Sequence, residues 1–323
     1  MNPRERLARA LRFEAPDRPP HFEQMFELTE EAFGLRFPSE AEIEQSTGVA
    51  RARIFERCAE IYACTVERFD WDAVLVWRPA LRTRAQYEFI PVLKERLGPD
   101  IPVGSFIWDG FISIDAVKDY MQFAIDLKEE PEKIDLWARE LFKGSRDHAQ
   151  RLVDSGCDLI DIASDYAFNK NTFISPKDFA RFIAPYLAAV VDLVKSQRVY
   201  VVLHSDGYLM RVLDQILEIG PHVLQSIDPM AGMDIAKVKQ ATYGRLALMG
   251  NVQCSLLQDG PDEAIRTSAL YCLEHGSPGG GYIFSSSNTI FTGLPLSNYE
   301  YMLTVFGEFN GRPLPGAGAG TWS

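Results

Sequence analysis

Residues 175–207 read "SPKDFARFIAPYLAAVVDLVKSQRVYVVLHSDG", a helix pattern followed directly by a strand pattern. Ser175 is a residue type that caps helices, Pro176 suits the first helical position, and apolar residues then recur at spacings of three and four. The run "VYVVL" that follows is almost entirely apolar, which is typical of a strand covered on both faces. This stretch therefore predicts a helix that crosses back over a parallel sheet and leads into a buried strand ending at His204.

The same alternation of strand-like and helix-like runs recurs along the chain. The candidate strands begin at Arg18, Asp72, Ile101, Asp158, Val199, His222, Arg245 and Gly281. Eight such units in 323 residues favour a (β/α)8 TIM barrel, and the chain lacks the G-x-G-x-x-G turn that would announce an open Rossmann sheet. We predict a single barrel domain over residues 1–311 with an N-terminal helical extension, and a flexible tail over residues 312–323.

Composition narrows the class of function. The formal net charge is −12 and no stripe of Lys or Arg occurs, so nucleic acid is not an expected partner. No run reaches the roughly 18 apolar residues that span a bilayer, and the first residues lack the apolar centre of a secretory signal. We therefore expect no membrane partner and a cytoplasmic protein. Its five scattered cysteines, without a C-x-x-C pair, are expected to behave as small buried hydrophobes.

Polar residues stand where nearly every predicted strand ends. They are Glu23, Arg78, Asp109, Asp165, His204 with Asp206, Asp228, Asn251 and the group Ser285–Asn288. In a TIM barrel the carboxyl ends of the strands converge on one opening, called the mouth here, where catalysis takes place. We expect these side chains to share that mouth, although Asp and Asn also cap helices and form turns, which is the structural alternative for each of them.

The pair His204 and Asp206 is the most informative of these groups. Their spacing of two lets both side chains point to the same side where the strand ends. An imidazole and a carboxylate can bind Zn²⁺ together, or the carboxylate can fix the imidazole tautomer for proton transfer. The pair supplies only two of the three protein ligands that a catalytic zinc site needs. In the structural alternative, Asp206 caps a helix that begins near Tyr208.

Longer stretches resemble the uroporphyrinogen decarboxylase superfamily in order and spacing. The second half of that family is matched by "LHSDGYL" from Leu203, "LQSIDPMAGMDIAKVKQATYGRLALMGNVQ" from Leu224 and "GGGYIFSSSNTIFTGLPLSNYEYM" from Gly279. The opening "NPRERLARALRFEAPDRPP" is similar to its usual beginning, and "LIDIASDYAFNKNTFISPKDFARFIAPYL" to its middle. The resemblance implies a (β/α)8 barrel and one of two chemistries, decarboxylation or methyl transfer.

The decarboxylase branch of the family is matched poorly at its substrate-binding positions. Its members carry an R-Q-A-G-R segment near the N-terminus, where this chain reads "HFEQMFELTEEAFG" without an arginine until Arg36. They also have an aspartate after strand two and a histidine near strand eight, where this chain has Arg78 and Asn288. A substrate with many carboxylates needs fixed cations, and arginine is the best carboxylate clamp. Porphyrinogen decarboxylation is therefore not expected.

The other branch contains cobalamin-dependent methyltransferases. Its coenzyme M enzymes bind zinc through H-x-C after strand five and a later cysteine near strand eight. Here His204 matches the first ligand, Asp206 stands at the second, and the serines of "SSSN" stand in place of the later cysteine. Such a site offers nitrogen and oxygen ligands instead of thiolates, which changes its metal preference. Members that demethylate methoxylated or methylated compounds are often similarly altered, so the resemblance favours methyl transfer, including O-demethylation.

The sequence thus predicts an enzyme that moves a methyl group between a small methylated or methoxylated substrate and a corrinoid. No D-x-H-x-x-G motif occurs, so the corrinoid is expected on a separate carrier protein. We assign His204, Asp206 and Asp165 to catalysis, with zinc as the metal that His204 and Asp206 would hold. Substrate contacts are assigned to Glu23, Arg78, Tyr166, Asp228, Asn251 and Asn288.

Two alternatives stay open from the sequence. A smaller carboxylated substrate would be decarboxylated with Arg78 as the carboxylate grip and His204 or Asp165 as the proton donor. A noncatalytic barrel would only bind a ligand or a partner protein. The family resemblance also implies a homodimer, although no stretch of the sequence marks an interface.

Overall fold

The computed structural model of the chain describes residues 1–78, 83–108 and 110–312. Within these residues, seven strands form one parallel sheet whose strand order follows the order of the chain. The strands are β1 (Val74–Val76), β2 (Val103–Trp108), β3 (Leu159–Ala163), β4 (Tyr200–His204), β5 (Val223–Ser226), β6 (Ala247–Val252) and β7 (Tyr282–Ser286). Their residues are almost all buried, because helices cover the outer face of the curled sheet and side chains fill the inside.

Helices precede the sheet and connect its strands. They are α1 (Pro3–Leu11), α2 (Thr29–Phe33), α3 (Glu40–Gln45), α4 (Gly48–Phe69), α5 (Arg84–Leu97), α6 (Tyr120–Glu129), α7 (Pro131–Asp154), α8 (Pro176–Phe182), α9 (Ala184–Ser196), α10 (Leu213–Ile219), α11 (Ile235–Thr242), α12 (Cys254–Asp259), α13 (Asp262–Gly276) and α14 (Leu296–Phe309). Four of them lie before β1. None of the helices in the described residues has the length and apolar character needed to cross a bilayer.

The eighth position of the barrel is filled by an extended segment instead of the regular strand predicted from Arg18. The Phe284 amide of β7 donates to the Pro20 carbonyl at 2.8 Å, and the Asp72 amide, just before β1, donates to the His21 carbonyl at 2.8 Å. The segment therefore connects the two edges of the sheet, with an isolated bridge between His21 and Phe284. A longer ladder does not form here because Pro20 and the proline before it have no N–H to donate. The (β/α)8 fold class is confirmed with this difference in its first strand.

The predicted helix over residues 175–197 is interrupted. Ser175 caps α8 by accepting a hydrogen bond from the Asp178 amide at 3.1 Å, as expected. Ile183 then leaves helical geometry, with φ −121° and ψ −57°, and α9 starts with Pro185 in its first turn. A proline at this place cannot continue the hydrogen bonds of α8, so the chain begins a new helix. The barrel geometry is unaffected, since α9 still leads into β4.

Cysteines behave as the composition predicts. All five are free, four of them are buried, and Cys64 is half-buried. The predicted tail lies almost wholly outside the described residues, which end at Arg312, and so does Asp109 at the end of β2. The boundaries of a single domain over residues 1–311 stay a prediction.

Candidate active site

Three side chains come together at the mouth, above the ends of β3 and β4. Asp165, His204 and Asp206 each offer a ligand atom, and these atoms all lie within 4.8 Å of one another. His204 ends β4, while Asp165 and Asp206 each stand two residues beyond the strand that precedes them. These three residues, called the His204 cluster here, are the ones that the sequence assigned to catalysis.

His204 is held in one orientation by the neighbouring strand. Its Nδ1 contacts the side-chain oxygen of Gln225, which is its register partner on β5. Because an amide oxygen only accepts, Nδ1 carries the proton and donates. The opposite nitrogen, Nε2, lies 3.7 Å from Asp165 Oδ1. With Nδ1 so fixed, Nε2 of a neutral imidazole has a lone pair that faces the two carboxylates, the arrangement typical of a metal-binding histidine.

Asp206 is positioned by side chains from two other strands. Ser226 Oγ donates to its Oδ1 at 2.6 Å, and Asn288 Nδ2 donates to its Oδ2 at 2.5 Å. Its backbone amide donates to Asp165 Oδ1 at 2.8 Å, which holds the Asp165 carboxylate beside Asp206. The alternative in which Asp206 caps a helix near Tyr208 is wrong, because α10 begins only at Leu213 and both carboxylate oxygens face the mouth-side partners.

The cluster has a charge distribution that suits a bound cation or a proton. Burial opposes the charging of His204, but Asp206, Asp165 and Asp161 outweigh it and raise the pKa of the imidazole above its usual value. Burial likewise raises the pKa of Asp165, against the opposing effect of His204. A positive charge placed between these groups would be stabilised by carboxylates on two sides.

Asp161 is a member of the site that the sequence reasoning missed. It lies in the middle of β3, is fully buried, and receives a hydrogen bond from Gln24 Nε2 at 3.0 Å. Its other oxygen has no hydrogen-bond partner among the described residues. Burial raises its pKa to about 6, although the charge of His204 opposes this shift. The signal was available, since Asp161 interrupts an apolar strand four residues before Asp165 and so faces the same side.

Two of the other residues predicted to contact the substrate lie close to the His204 cluster. Asn288 joins the His204 cluster through Asp206, and Asp228 lies beside it, accepting from the Gly207 amide at 3.2 Å. Asp228 also accepts from the Met230 amide at 2.8 Å, so it forms the turn after β5 as well. These two residues lie close to the cluster, as the sequence predicts.

Arg78 and Tyr166 lie in surroundings that differ from those expected of substrate contacts. Arg78 pairs with the exposed carboxylate of Glu40 at 3.1 Å and covers the ring of Trp77. Tyr166 is fully buried, with its ring packed edge-on against Phe179. Their assignment to substrate binding stays a prediction that the observed contacts do not favour.

Asn251 borders a different space. Its amide donates to the Ile227 carbonyl at 2.7 Å, and Cys272 donates its S–H to the Asn251 side-chain oxygen at 3.2 Å. It lines a cavity of about 750 Å³ between the segment after β5 and helices α12 and α13, together with Asp234 and Tyr271. The Tyr271 hydroxyl donates to Asp234 at 3.0 Å, so these two polar groups are already partners of each other. The His204 cluster is not part of its lining.

Glu23 is fully buried next to the end of β7, where it contacts Ser286. Both of its oxygens accept from the Ser286 amide, at 3.2 and 3.0 Å, and burial raises its pKa to about 8 although those hydrogen bonds oppose the shift. The folded chain therefore keeps a proton that the unfolded chain releases above the ordinary value of 4.5. Stability linked to this group is present below that pH and is lost as the pH rises toward about 8.

We expect Glu23→Gln to be more stable than the unsubstituted protein at the upper end of this pH range. The amide keeps the shape and neutral charge of the protonated acid, so the folded state no longer retains a proton that the unfolded chain would lose. Urea unfolding of both proteins at several pH values measures the difference. The gain should shrink toward zero as the pH falls to the ordinary value for glutamate, and a gain that does not depend on pH would contradict the argument.

Comparisons with known proteins show which sequences and structures this chain resembles. The sequence model of the uroporphyrinogen decarboxylase (URO-D) family matches residues 64–309. The methylcobamide:CoM methyltransferase MtaA of Methanosarcina barkeri is 27% identical over 235 residues, which are 71% of this chain and 64% of that protein. A uroporphyrinogen decarboxylase of Anaeromyxobacter dehalogenans is 28% identical over 136 residues, which are 42% of this chain and 38% of that protein. This chain thus spans less than two thirds of the length of either relative.

A solved structure supports the fold independently. The methyltransferase from Methanosarcina mazei has a TM-score of 0.75 to this chain, with 19% sequence identity, and the match covers 96% of this chain and 99% of the other. At that identity the likeness concerns the fold alone. The resemblance inferred from the sequence motifs is confirmed, and the relatives are enzymes, as predicted.

Proposed function

Because the chain belongs to the uroporphyrinogen decarboxylase family, we propose that it is a methyltransferase that transfers a methyl group between a small methylated or methoxylated compound and a corrinoid. The corrinoid would be carried by a separate protein, since the sequence has no D-x-H-x-x-G motif. The observation that carries the proposal is the His204 cluster, which places an imidazole and two carboxylates at the mouth. Similarity to a methylcobamide methyltransferase supports the choice of chemistry.

The donor set of the cluster fits a divalent metal. One imidazole nitrogen and two carboxylate oxygens complete the three protein ligands that a catalytic zinc site needs, which the pair His204 and Asp206 alone did not. Asp165 is the third ligand in this arrangement. Carboxylate ligands are harder than thiolates, so manganese or iron is accommodated as well as zinc. Bound there, the ion would supply Lewis-acid polarisation of the atom that carries the methyl group.

The residues of the chain have separable roles in this proposal. Gln225 fixes the imidazole tautomer so that His204 Nε2 faces the reacting atoms. Asp206 is oriented by Ser226 and Asn288, and its amide orients Asp165. The cobalt of the corrinoid supplies a strong nucleophile from the partner protein, so the contribution of this chain is to orient the methyl group and assist the departing atom. In a metal-free cluster, protonated His204 would assist that atom by donating its Nε2 proton.

Charge argues against the alternative of decarboxylation. A carboxylated substrate needs a cation to hold it, but Arg78 is paired with Glu40, and the cluster itself is rich in carboxylates. The negative charges of Asp165 and Asp206 would repel a substrate carboxylate and so weaken its binding. No observation among the described residues favours a noncatalytic barrel. The predicted cytoplasmic location and homodimer stay predictions.

The proposal is tested by mixing the purified protein with cob(I)alamin and a panel of methoxylated aromatic compounds and methylated amines. We expect at least one class of these compounds to convert cob(I)alamin to methylcobalamin. The absorbance spectrum of the cobalamin monitors the conversion. The matched measurement is release of CO₂ from carboxylated analogues without cobalamin. CO₂ release without any methylcobalamin would contradict methyl transfer and support the decarboxylase alternative.

A further inference from the structure

Glu23 shares one hydroxyl group with the loop that follows β7. Ser286 Oγ lies 2.7 Å from Glu23 Oε2, and the same Oγ contacts the carbonyl oxygen of Asn288. Glu23 has no exposed surface. The Glu23 carboxyl group, the Ser286 hydroxyl and the Asn288 carbonyl thus form a short line of three groups in contact.

Counting protons limits the directions that these hydrogen bonds can take together. A serine hydroxyl has one proton to donate, and a backbone carbonyl oxygen can only accept. If Ser286 donates to Asn288, its contact with Glu23 needs a proton from the carboxylic acid. In that arrangement Glu23 Oε2–H donates to Ser286 Oγ, and the Ser286 amide donates to Oε1 at 3.2 Å. Every polar atom in the line is then satisfied, which buried groups require.

The groups that face Glu23 do not favour its charged form. Cys254 at the start of α12, Tyr282 on β7 and Tyr299 on α14 interact with it electrostatically. Burial raises the pKa of Cys254 to about 12 and the pKa values of both tyrosines, so all three are neutral at pH 7. His21, which lies 3.4 Å from the Tyr299 hydroxyl, is neutral too, because burial lowers its pKa to about 3. In the described part of the chain these neighbours provide no cation to compensate a carboxylate.

We propose that neutral Glu23 is a positioning residue that orders the loop after β7 and, through it, the His204 cluster. Its proton lets Ser286 bind the Asn288 carbonyl, and the Asn288 side chain then holds Asp206 at 2.5 Å. The Thr289 amide, 2.6 Å from Asn288 Oδ1, fixes which end of the side-chain amide faces Asp206. What Asp206 does rests on the proposed function, whereas the coupling from Glu23 to Asp206 depends only on the fold.

Loss of the Glu23 proton reverses one hydrogen bond. The Ser286 hydroxyl would turn to the carboxylate, because a charged acceptor is stronger than a carbonyl oxygen. The Asn288 carbonyl would then lose its donor, and residues 286–289 would be held less firmly. This change is expected as the pH rises through the pKa of Glu23, about 8.

Hydrogen exchange of residues 286–289, followed by pulsed deuterium labelling and mass spectrometry, tests the coupling. The unsubstituted protein is compared with Glu23→Gln, whose amide donates and accepts like the neutral acid, at about one pH unit below and above the pKa. Comparison at equal pH cancels the intrinsic effect of pH on exchange. At the higher pH we expect up to about tenfold less protection in the unsubstituted protein, since about a tenth of Glu23 stays protonated. At the lower pH the two should agree.

Glu27→Gln is the matched control, because Glu27 belongs to the same segment and accepts from the Thr292 amide at 2.9 Å, farther along the same loop. It should behave like the unsubstituted protein at residues 286–289. Equal protection in all three proteins at the higher pH would overturn the proposal. So would the absence, in the unsubstituted protein at pH 7, of an infrared band of a neutral carboxylic acid that titrates with the pKa of Glu23.

The infrared measurement keeps the test valid even if Glu23→Gln does not fold. Ser286→Ala then serves to assign the band, which should shift because the acid loses its hydroxyl acceptor. Neither measurement depends on methyl transfer. A protein that fails every activity assay but shows the band and the loss of protection would contradict the proposed function and leave the coupling established.

Discussion

Replacing His204 by alanine is expected to lower the rate of methyl transfer by about 10²–10⁴-fold, the range found when a positioned acid or base is removed. His204 supplies the only nitrogen ligand of the cluster, and its Nε2 lies 3.7 Å from Asp165. Without it, Asp165 and Asp206 would face each other with no imidazole between them. The effect is expected whether the imidazole binds a metal or moves a proton.

The metal content of the same variant separates these two roles. Elemental analysis of purified protein should find about one divalent ion per chain that disappears in His204→Ala, if the cluster binds a metal through three protein ligands. If neither protein contains a metal, only proton transfer is left for His204. His275→Ala is the control, because His275 is exposed on α13, away from the cluster. An active His204→Ala with unchanged metal content would contradict both roles.

Local patterns predicted most of the fold, because helices and buried strands each repeat at a characteristic spacing. The failure at the first strand has a local cause as well. The stretch "RPPHFEQM" is predicted to form a strand from Arg18. Pro19 and Pro20 have no N–H to donate to a neighbouring strand, so the segment forms only a bridge at His21. The interruption at Ile183 has the same origin, since the proline two residues later prevents one continuous helix.

The rule that the carboxyl ends of the strands converge predicts the site residues that follow β3 and β4. It does not predict contacts between residues on distant parts of the barrel. Asp165, His204 and Asp206 follow from strand ends, because parallel strands bring those ends together. The bond from Gln24 to Asp161 joins residues 137 positions apart, and nothing in the local sequence of either residue indicates the other. The ion pair between Arg78 and Glu40 likewise cannot be inferred from the local sequence of either residue.

Glu23 illustrates a further limit of sequence reasoning. The strand-end rule placed it at the mouth, but its role depends on which neighbours bury it and on a single hydroxyl that it shares with Asn288. Protonation states follow from burial and from partners, and both are properties of the assembled barrel. Residue type and spacing can therefore locate an acid near a site without saying whether it is charged there.

Replacing Asp72 by asparagine is expected to lower the free energy of unfolding by about 3–5 kcal/mol, the cost of removing one partner from a buried ion pair. Asp72 is fully buried and pairs with both Arg6 and Arg18, the latter at 2.6 Å. It also accepts from the His21 amide at 2.7 Å, which fastens the segment at the eighth barrel position. In the variant, both buried guanidinium groups face a neutral amide and keep only their partly exposed partners, Asp17 and Asp70.

Asp70→Asn is the matched control, because Asp70 pairs with the same Arg18 at 2.7 Å but is 44% exposed. An exposed carboxylate is screened by water, so this variant should lose less than about 1 kcal/mol. Urea unfolding of the two variants measures both values, and equal losses would contradict the role given to burial. Since the segment fastened by Asp72 also carries Gln24 and Glu23, the Asp72 variant should disturb the site as well as the fold, and the Asp70 variant should not.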